Sequence, residues 1–143
     1  MSGHSAGGHL TAMCLLTDWP KSAPGVPRDV IKAAVPISGL YDLEPIRLCY
    51  LNADLKLDPS GAARNSPLLG APASKVPVLI AVGGAETDEF RRQSSGLAAA
   101  WKSQGIGLQH REFAGHNHFT IAEALADAHA PMGEALLEWI GKV

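Results

Sequence analysis

The chain opens with MSGHSAGGHL at residues 1–10, and residues 3–7 of this stretch match the pattern G-x-S-x-G. This pattern is typical of a sharp turn in which a β-strand runs into an α-helix and presents a strained serine at its tip. The serine here is Ser5, and the four residues before it are not expected to supply the strand. The stretch therefore predicts a helix that starts at Ala6, with a candidate nucleophile directly before it.

Length and composition indicate a single domain over residues 1–143. With 46% hydrophobic residues, the chain has enough apolar side chains for one core and is too short for two domains. Its 12 Lys and Arg residues and 14 Asp and Glu residues are spread without blocks and give a net charge of −2. Such a chain has no electrostatic field that favours nucleic acid or an anionic membrane, so a small molecule is the expected partner.

The two cysteines indicate neither a disulfide framework nor a metal site. Cys14 and Cys49 are too far apart for a zinc or C-x-x-C motif, and no cofactor is expected. The sequence contains no pattern of a signal peptide and no apolar run long enough to span a membrane. These features predict a cytoplasmic protein with reduced thiols and no membrane partner.

Apolar strand-like runs alternate with helical patterns along the chain, and this alternation predicts an α/β fold with a parallel sheet. We expect three strands, at about residues 30–37, 76–82 and 108–113. The third run carries charged residues, which suits a strand at the edge of the sheet. Helical periodicity predicts helices over residues 6–16 and 89–104.

Two further segments complete the predicted fold. The residues from 120 onward carry an apolar helical stripe that Pro131 interrupts, so we expect two helical pieces there. Residues 39–75 separate the first two predicted strands and are rich in proline and glycine. Segments of this length are uncommon unless they form a lid or the wall of a binding site, so we expect a lid-like excursion.

A serine hydroxyl acts as a nucleophile when a base lies within hydrogen-bond reach and a carboxylate orients that base. The stretch GGAETDEF follows the second predicted strand and offers Glu86, Asp88 and Glu89. Asp88 and Glu89 stand where a helix begins, and acidic side chains are favourable there because they complement the helix dipole. Glu86 has no such structural explanation and is the preferred acid, with Asp88 as the alternative.

The candidate base comes from AGHNHF, which follows the third predicted strand and contains His116 and His118. His118 is preferred because it precedes Phe119 at the start of the last helical region, and packing of Phe119 would fix the imidazole ring. A His-x-His pair can bind a metal, but no carboxylate or cysteine accompanies it at ligand spacing, so no metal site is expected.

Five stretches of the chain carry a resemblance to a known family: GHSAGGHL, ISGLYDLEPI, RNSPLL, EFRRQS and NHF, in this order. Over almost its whole length the chain resembles the arylformamidase (kynurenine formamidase) branch of the α/β-hydrolase esterases. The resemblance implies a three-layer α/β-hydrolase fold of which this chain is the C-terminal part, with about three parallel strands and flanking helices. The family's acid precedes the EF pair by three residues, which is Glu86 here. The family commonly carries Asp there, so Asp88 stays open.

The resemblance also implies an activity and further site residues. It implies hydrolysis of a small aryl formamide such as N-formylkynurenine, or of small carboxylic esters, with Ser5 as nucleophile and His118 as base. The backbone N–H of Ala6 is expected to hold part of the oxyanion at the positive end of the helix. His4 and Tyr41 are expected to contact the substrate, although Tyr41 also fits a solvated turn.

One part of the family pattern does not occur in this sequence. The family places other oxyanion donors in a His-Gly-Gly loop before the serine turn, and no such motif is found here. We therefore expect a partial domain that works as a homo-oligomer or together with a missing N-terminal half. The alternative is a catalytically silent α/β-hydrolase fragment, because a strained serine with no strand behind it should relax.

Overall fold

Four parallel strands form the sheet of residues 1–141, the part of the chain that the computed structural model describes. The last two residues of the predicted domain, 142 and 143, lie outside the described residues. The strands lie side by side in chain order, so each new strand extends the sheet in the same direction. They are β1 (Ser2–His4), β2 (Val35–Ile37), β3 (Val78–Gly83) and β4 (Leu108–Phe113).

Strand β1 corrects the sequence analysis, which expected no strand before Ser5. It pairs with β2 in parallel, with Ser2 opposite Val35 and His4 opposite Ile37. Three residues are too few to display the period-two pattern by which a strand is recognised. Only the partner strand, which comes much later in the chain, identifies this segment as part of the sheet.

The other strands follow the predicted positions with different lengths. Strand β2 begins at Val35 rather than at residue 30. Val30 is exposed, and the residue directly before β2, Ala34, forms only an isolated bridge to Val78. Strands β3 and β4 pair over six residues. The third predicted strand is confirmed over its whole length, and in the described residues β4 forms one edge of the sheet.

The predicted helices are confirmed with small shifts at their ends. The break before Pro131 is also confirmed, because Pro131 is the first residue of the last helix, where a missing backbone N–H costs nothing. No helix within residues 1–141 is long and apolar enough to cross a membrane. The helices are α1 (Ala6–Leu16), α2 (Trp19–Ser22), α3 (Glu44–Arg47), α4 (Asn52–Leu55), α5 (Pro59–Arg64), α6 (Asp88–Ser103), α7 (Thr120–Glu123) and α8 (Pro131–Ile140).

Helices cover both faces of the sheet, and the alternation along β3 divides the core into two clusters. Val78 and Ile80 pack on one face with side chains of α1 and α6, including the fully buried Trp101. Leu79 and Ala81 pack on the opposite face with side chains of α7 and α8. A parallel strand that is buried on both faces has a continuous apolar sequence, as β3 does. The described residues therefore form three layers.

The excursion at residues 39–75 is folded against the two helices of one face. It contains α3, α4, α5 and a short 3-10 turn at Pro67–Leu69. The N–H of Ala73 donates to the carbonyl of Leu15 on α1 at 2.8 Å. The indole N–H of Trp101 on α6 donates to the carbonyl of Pro67 at 3.3 Å. These two hydrogen bonds attach the excursion to α1 and α6.

Helix α1 approaches the sheet closely at one glycine. A Cβ atom on Gly8 would lie 2.6 Å from the carbonyl oxygen of Ile37 and 2.9 Å from the Cα atom of Gly39. Both neighbours are backbone atoms and cannot rotate away. Gly7, the next residue along the helix, would place its Cβ in open space.

Replacement of Gly8 by alanine is therefore expected to lower the free energy of unfolding by about 1–3 kcal/mol, because α1 must move away from β2. Gly7→Ala is the matched control. It is expected to raise the free energy of unfolding by about 0.5 kcal/mol, since alanine has a higher helix propensity than glycine. Urea unfolding of both variants measures the difference. Equal effects of the two substitutions would contradict the close approach.

Candidate active site

Four polar side chains come from the carboxyl ends of the four strands. Ser5 follows β1, Ser38 follows β2, Glu86 follows β3 and His118 follows β4. The carboxyl ends of parallel strands meet at one edge of a sheet, which is where open α/β sheets place their ligands. The topology alone therefore brings these four residues together.

Two hydrogen bonds join three of these side chains in a row. The Nδ1 atom of His118 lies 2.7 Å from Oε2 of Glu86, and its Nε2 atom lies 3.0 Å from Oγ of Ser5. A carboxylate only accepts hydrogen bonds, so this arrangement assigns the ring proton to Nδ1. The Nε2 lone pair then faces the Ser5 hydroxyl, which donates to it. This is the geometry in which a histidine can remove a proton from a serine.

The carboxylate of Glu86 is fully enclosed and has hydrogen-bond donors on both oxygens. Its side chain is 0% exposed. Oε1 accepts from the Ser38 hydroxyl at 2.5 Å and from the Gly83 N–H at 2.8 Å, while Oε2 accepts from His118. Three donors from three strand ends offset the loss of water around the carboxylate and hold it in one orientation.

Ser5 has the strained backbone that its sequence pattern predicts. Its φ is 58° and its ψ is −117°, a conformation that non-glycine residues rarely adopt and that costs about 1–3 kcal/mol. The Ser5 N–H donates to the carbonyl of Ile37 at 2.9 Å, and the Ser5 carbonyl accepts from the His9 N–H at 3.0 Å. The serine does not relax, because β1 supplies the strand that was expected to be absent.

Aromatic side chains hold the His118 ring. The ring of Phe90, on α6, stacks on it with centroids 4.2 Å apart, and the ring of His4 packs at 4.5 Å. Phe119 contacts the imidazole only by an edge at 5.8 Å and is 74% exposed. Phe119 thus contacts the imidazole as predicted, but the closer ring is that of Phe90, which the sequence analysis missed.

His4 is half-buried beside His118. Burial lowers its pKa from the ordinary value, and the neighbouring His118 lowers it further. Within residues 1–141 its Nε2 atom is buried without a hydrogen-bond partner. A neutral His4 adds no second positive charge next to His118. It remains a candidate substrate contact, as predicted.

The structure does not bring two of the predicted residues to the site. Asp88 is the first residue of α6, and its side chain is fully exposed, 3.7 Å from the Arg91 guanidinium. Tyr41 is 0% exposed in the core, where its hydroxyl accepts from the Gly39 N–H at 3.2 Å and burial raises its pKa. The predicted contact of Tyr41 with substrate is corrected, because its side chain is enclosed in the core. Its backbone N–H donates to the side-chain oxygen of the buried Gln93 on α6 at 2.6 Å.

Ser38 is a site residue that the sequence analysis missed. It is fully buried, has a φ of 48°, and donates to Glu86. Its position at the carboxyl end of a predicted strand was the available signal. It lies in the stretch ISGLYDLEPI, but its role was not visible there, because its partner is 48 residues away in the chain.

Ala6 is the first residue of α1, directly after Ser5. The first N–H groups of a helix have no partner within the helix and lie at its positive end. The predicted oxyanion donor is therefore in a position to face a carbonyl group bound at Ser5.

Comparison with curated proteins finds close relatives. The chain is 37% identical over 147 residues to a kynurenine formamidase of Danio rerio, and 37% identical over 148 residues to one of Salmo salar. Each alignment covers 99% of this chain and 49% of the relative. The chain thus spans about half the length of the curated relatives it matches. No protein-family model matches it.

Comparison with solved structures finds proteins of similar fold. A protein of Silicibacter sp. TM1040, described provisionally as a thioesterase, is 33% identical with a TM-score of 0.80, over 95% of this chain and 49% of that one. Esterase 2 of Thermogutta terrifontis is 24% identical with a TM-score of 0.69, over 99% of this chain and 53% of that one. These findings place the chain in the α/β-hydrolase fold class, as predicted. Within this class, the resemblance to kynurenine formamidases is confirmed.

Replacement of Ser5 by glycine is expected to stabilise the chain relative to Ser5→Ala, although both variants lose the hydroxyl. Glycine removes a strain of about 1–3 kcal/mol, while its freedom in the unfolded state costs about 0.4–1 kcal/mol. A net gain of about 1 kcal/mol should raise the urea midpoint. A midpoint for Ser5→Gly at or below that of Ser5→Ala would argue against the strained turn.

Removal of the Ser38 hydroxyl is expected to cost about 1.5–3 kcal/mol of stability, since it donates to a buried carboxylate. Ser94→Ala is the matched control: Ser94 is equally buried, and in the described part of the chain its hydroxyl has no partner. That substitution should leave stability unchanged or improve it. Thermal unfolding of the two variants compares them, and a loss of similar size in both would refute the role of Ser38.

Proposed function

We propose that the protein is a serine hydrolase that cleaves a small aryl formamide of the N-formylkynurenine type, or a small carboxylic ester. Ser5 is the nucleophile, His118 the base and Glu86 the acid that orients it. The observation that carries the proposal is the row of two hydrogen bonds, 3.0 Å and 2.7 Å long, that connects these side chains. The names of the relatives from Danio rerio and Salmo salar support the formamide substrate.

The proposed reaction has two halves. Oγ of Ser5 attacks the carbonyl carbon while Nε2 of His118 takes the hydroxyl proton, and Glu86 stabilises the imidazolium that results. His118 then gives this proton to the departing amine or alcohol, which leaves an acyl group on Ser5. Water, activated by the same histidine, attacks the acyl-enzyme and releases the acid.

The negative charge that develops on the carbonyl oxygen requires donors in place before the reaction. In this proposal the N–H of Ala6 is one of them, and the positive end of α1 adds to its effect. One such donor typically contributes about 2.7–4 kcal/mol to the lowering of the barrier. A small molecule is the proposed partner, and the excursion at residues 39–75 is proposed as one wall of its site.

The test compares the wild-type chain with three variants on N-formylkynurenine and on p-nitrophenyl acetate. Ser5→Ala should reduce hydrolysis to the background rate. Glu86→Gln should lower kcat by about 10⁴-fold, as loss of the orienting carboxylate does in serine proteases. Asp88→Asn is the matched control, and it should retain the wild-type rate because Asp88 faces solvent.

A second readout does not depend on turnover. A fluorophosphonate probe should label Ser5 in the wild-type chain, with the modified peptide identified by mass spectrometry, and labelling should slow strongly in Glu86→Gln. Failure of a folded wild-type chain both to label and to hydrolyse either substrate faster than Ser5→Ala would refute the proposal. Loss of activity in Asp88→Asn with retention in Glu86→Gln would reassign the acid.

A further inference from the structure

A cavity of about 300 Å³ lies beside the proposed nucleophile. One wall is α1, where Ala6 and His9 line it. The opposite wall belongs to the excursion at residues 39–75. Five aliphatic side chains form most of that wall: Leu40, Leu43, Ile46, Leu55 and Leu57.

Hydrogen bonds fix the two walls relative to each other. The ring Nε2–H of His9 donates to the carbonyl of Asn65 at 2.8 Å, which joins α1 to the excursion. The N–H of Leu43 donates to the buried hydroxyl of Ser66 at 2.8 Å. Gln93 on α6 accepts from the backbone N–H of Asp42 at 2.9 Å. The cavity is therefore formed before any ligand binds.

The position of the cavity distinguishes the two parts of a substrate. The leaving group must lie next to His118, because His118 gives it a proton. The cavity instead begins at Ala6, and among the described residues its lining contains neither His118 nor the rings that hold it. A group in this cavity is therefore on the acyl side of the carbonyl carbon.

We propose that this cavity binds the aliphatic acyl chain of an ester, so that among esters with the same leaving group the site prefers acyl chains longer than acetyl. The proposal rests on the proposed function and adds a substrate class to it. The wall contains no charged side chain of the described residues, and the His9 ring is occupied by its bond to Asn65. An aliphatic chain matches such a lining, because every methylene that enters it leaves water.

The first experiment measures kcat/KM of the wild-type chain for p-nitrophenyl acetate, butyrate and hexanoate. The leaving group is the same in all three, so only the acyl chain changes. Each methylene that becomes buried should raise kcat/KM about fourfold. A flat or falling series in a chain that hydrolyses the acetate would overturn the acyl cavity and leave the proposed function intact.

A pair of variants tests the location. Ile46→Trp fills the cavity and should reduce the ratio of hexanoate to acetate rates at least tenfold. Leu48→Trp is the matched control, because Leu48 lies two residues further on, is 69% exposed and does not line the cavity. It should keep the wild-type ratio. Equal ratios in the two variants, with native circular dichroism in both, would overturn the assignment.

Binding without turnover separates this proposal from the proposed function. In Ser5→Ala, calorimetry should find that p-nitrophenyl hexanoate binds more tightly than the acetate, and Ile46→Trp in the same background should remove the difference. Equal affinities for the two esters would overturn the acyl cavity whatever the rates. A clear preference in binding, together with no wild-type hydrolysis of N-formylkynurenine or of any of the esters, would leave the cavity standing and refute the hydrolase.

Discussion

The hydrogen bond from the Ser5 N–H to the Ile37 carbonyl is the contact on which the rest of the site depends. It continues the pairing of β1 with β2 by one residue, and so fixes Ser5 where the chain turns into α1. The same carbonyl group limits how closely α1 can approach the sheet, because it faces Gly8. One backbone group therefore sets both the strained conformation of the serine and the position of the helix behind it.

The chemistry of the site is distributed over four strand ends, and Glu86 connects them. It receives donors from Ser38 after β2, from Gly83 at the end of β3 and from His118 after β4. A buried carboxylate is unfavourable unless its oxygens are hydrogen-bonded. These donors hold the carboxylate in place, and the carboxylate in turn orients the His118 ring. Within the described structure, Ser5 does not contact Glu86 through a hydrogen bond of its own; it is connected to it by way of His118.

Features set by local pattern could be predicted from the sequence, and features set by distant neighbours could not. Helices α1 and α6, strand β4 and the break before Pro131 all follow from periodicity and proline chemistry. The candidate serine, acid and histidine of the proposed mechanism were selected in another way, from the G-x-S-x-G pattern and from the stretches that follow the predicted strands. The contacts of Ser38 and Phe90 with the site could not be predicted, because their partners, Glu86 and His118, follow other strands. Tyr41 fits a solvated turn by sequence, but it is buried in the core, and its backbone N–H donates to a buried glutamine of α6.

The two sides of Ser5 differ in chemistry, and this difference bears on substrate choice. On the His118 side stand the rings of Phe90 and His4, with an exposed Phe119 at the edge, which suits a flat aromatic leaving group. On the Ala6 side the walls are aliphatic. Under the proposed mechanism a formamide uses only the first side, since a formyl group has no chain to bury. An aryl ester of a longer acid uses both. One site would then serve formamides through the leaving group and esters through the acyl chain, with the same three catalytic side chains.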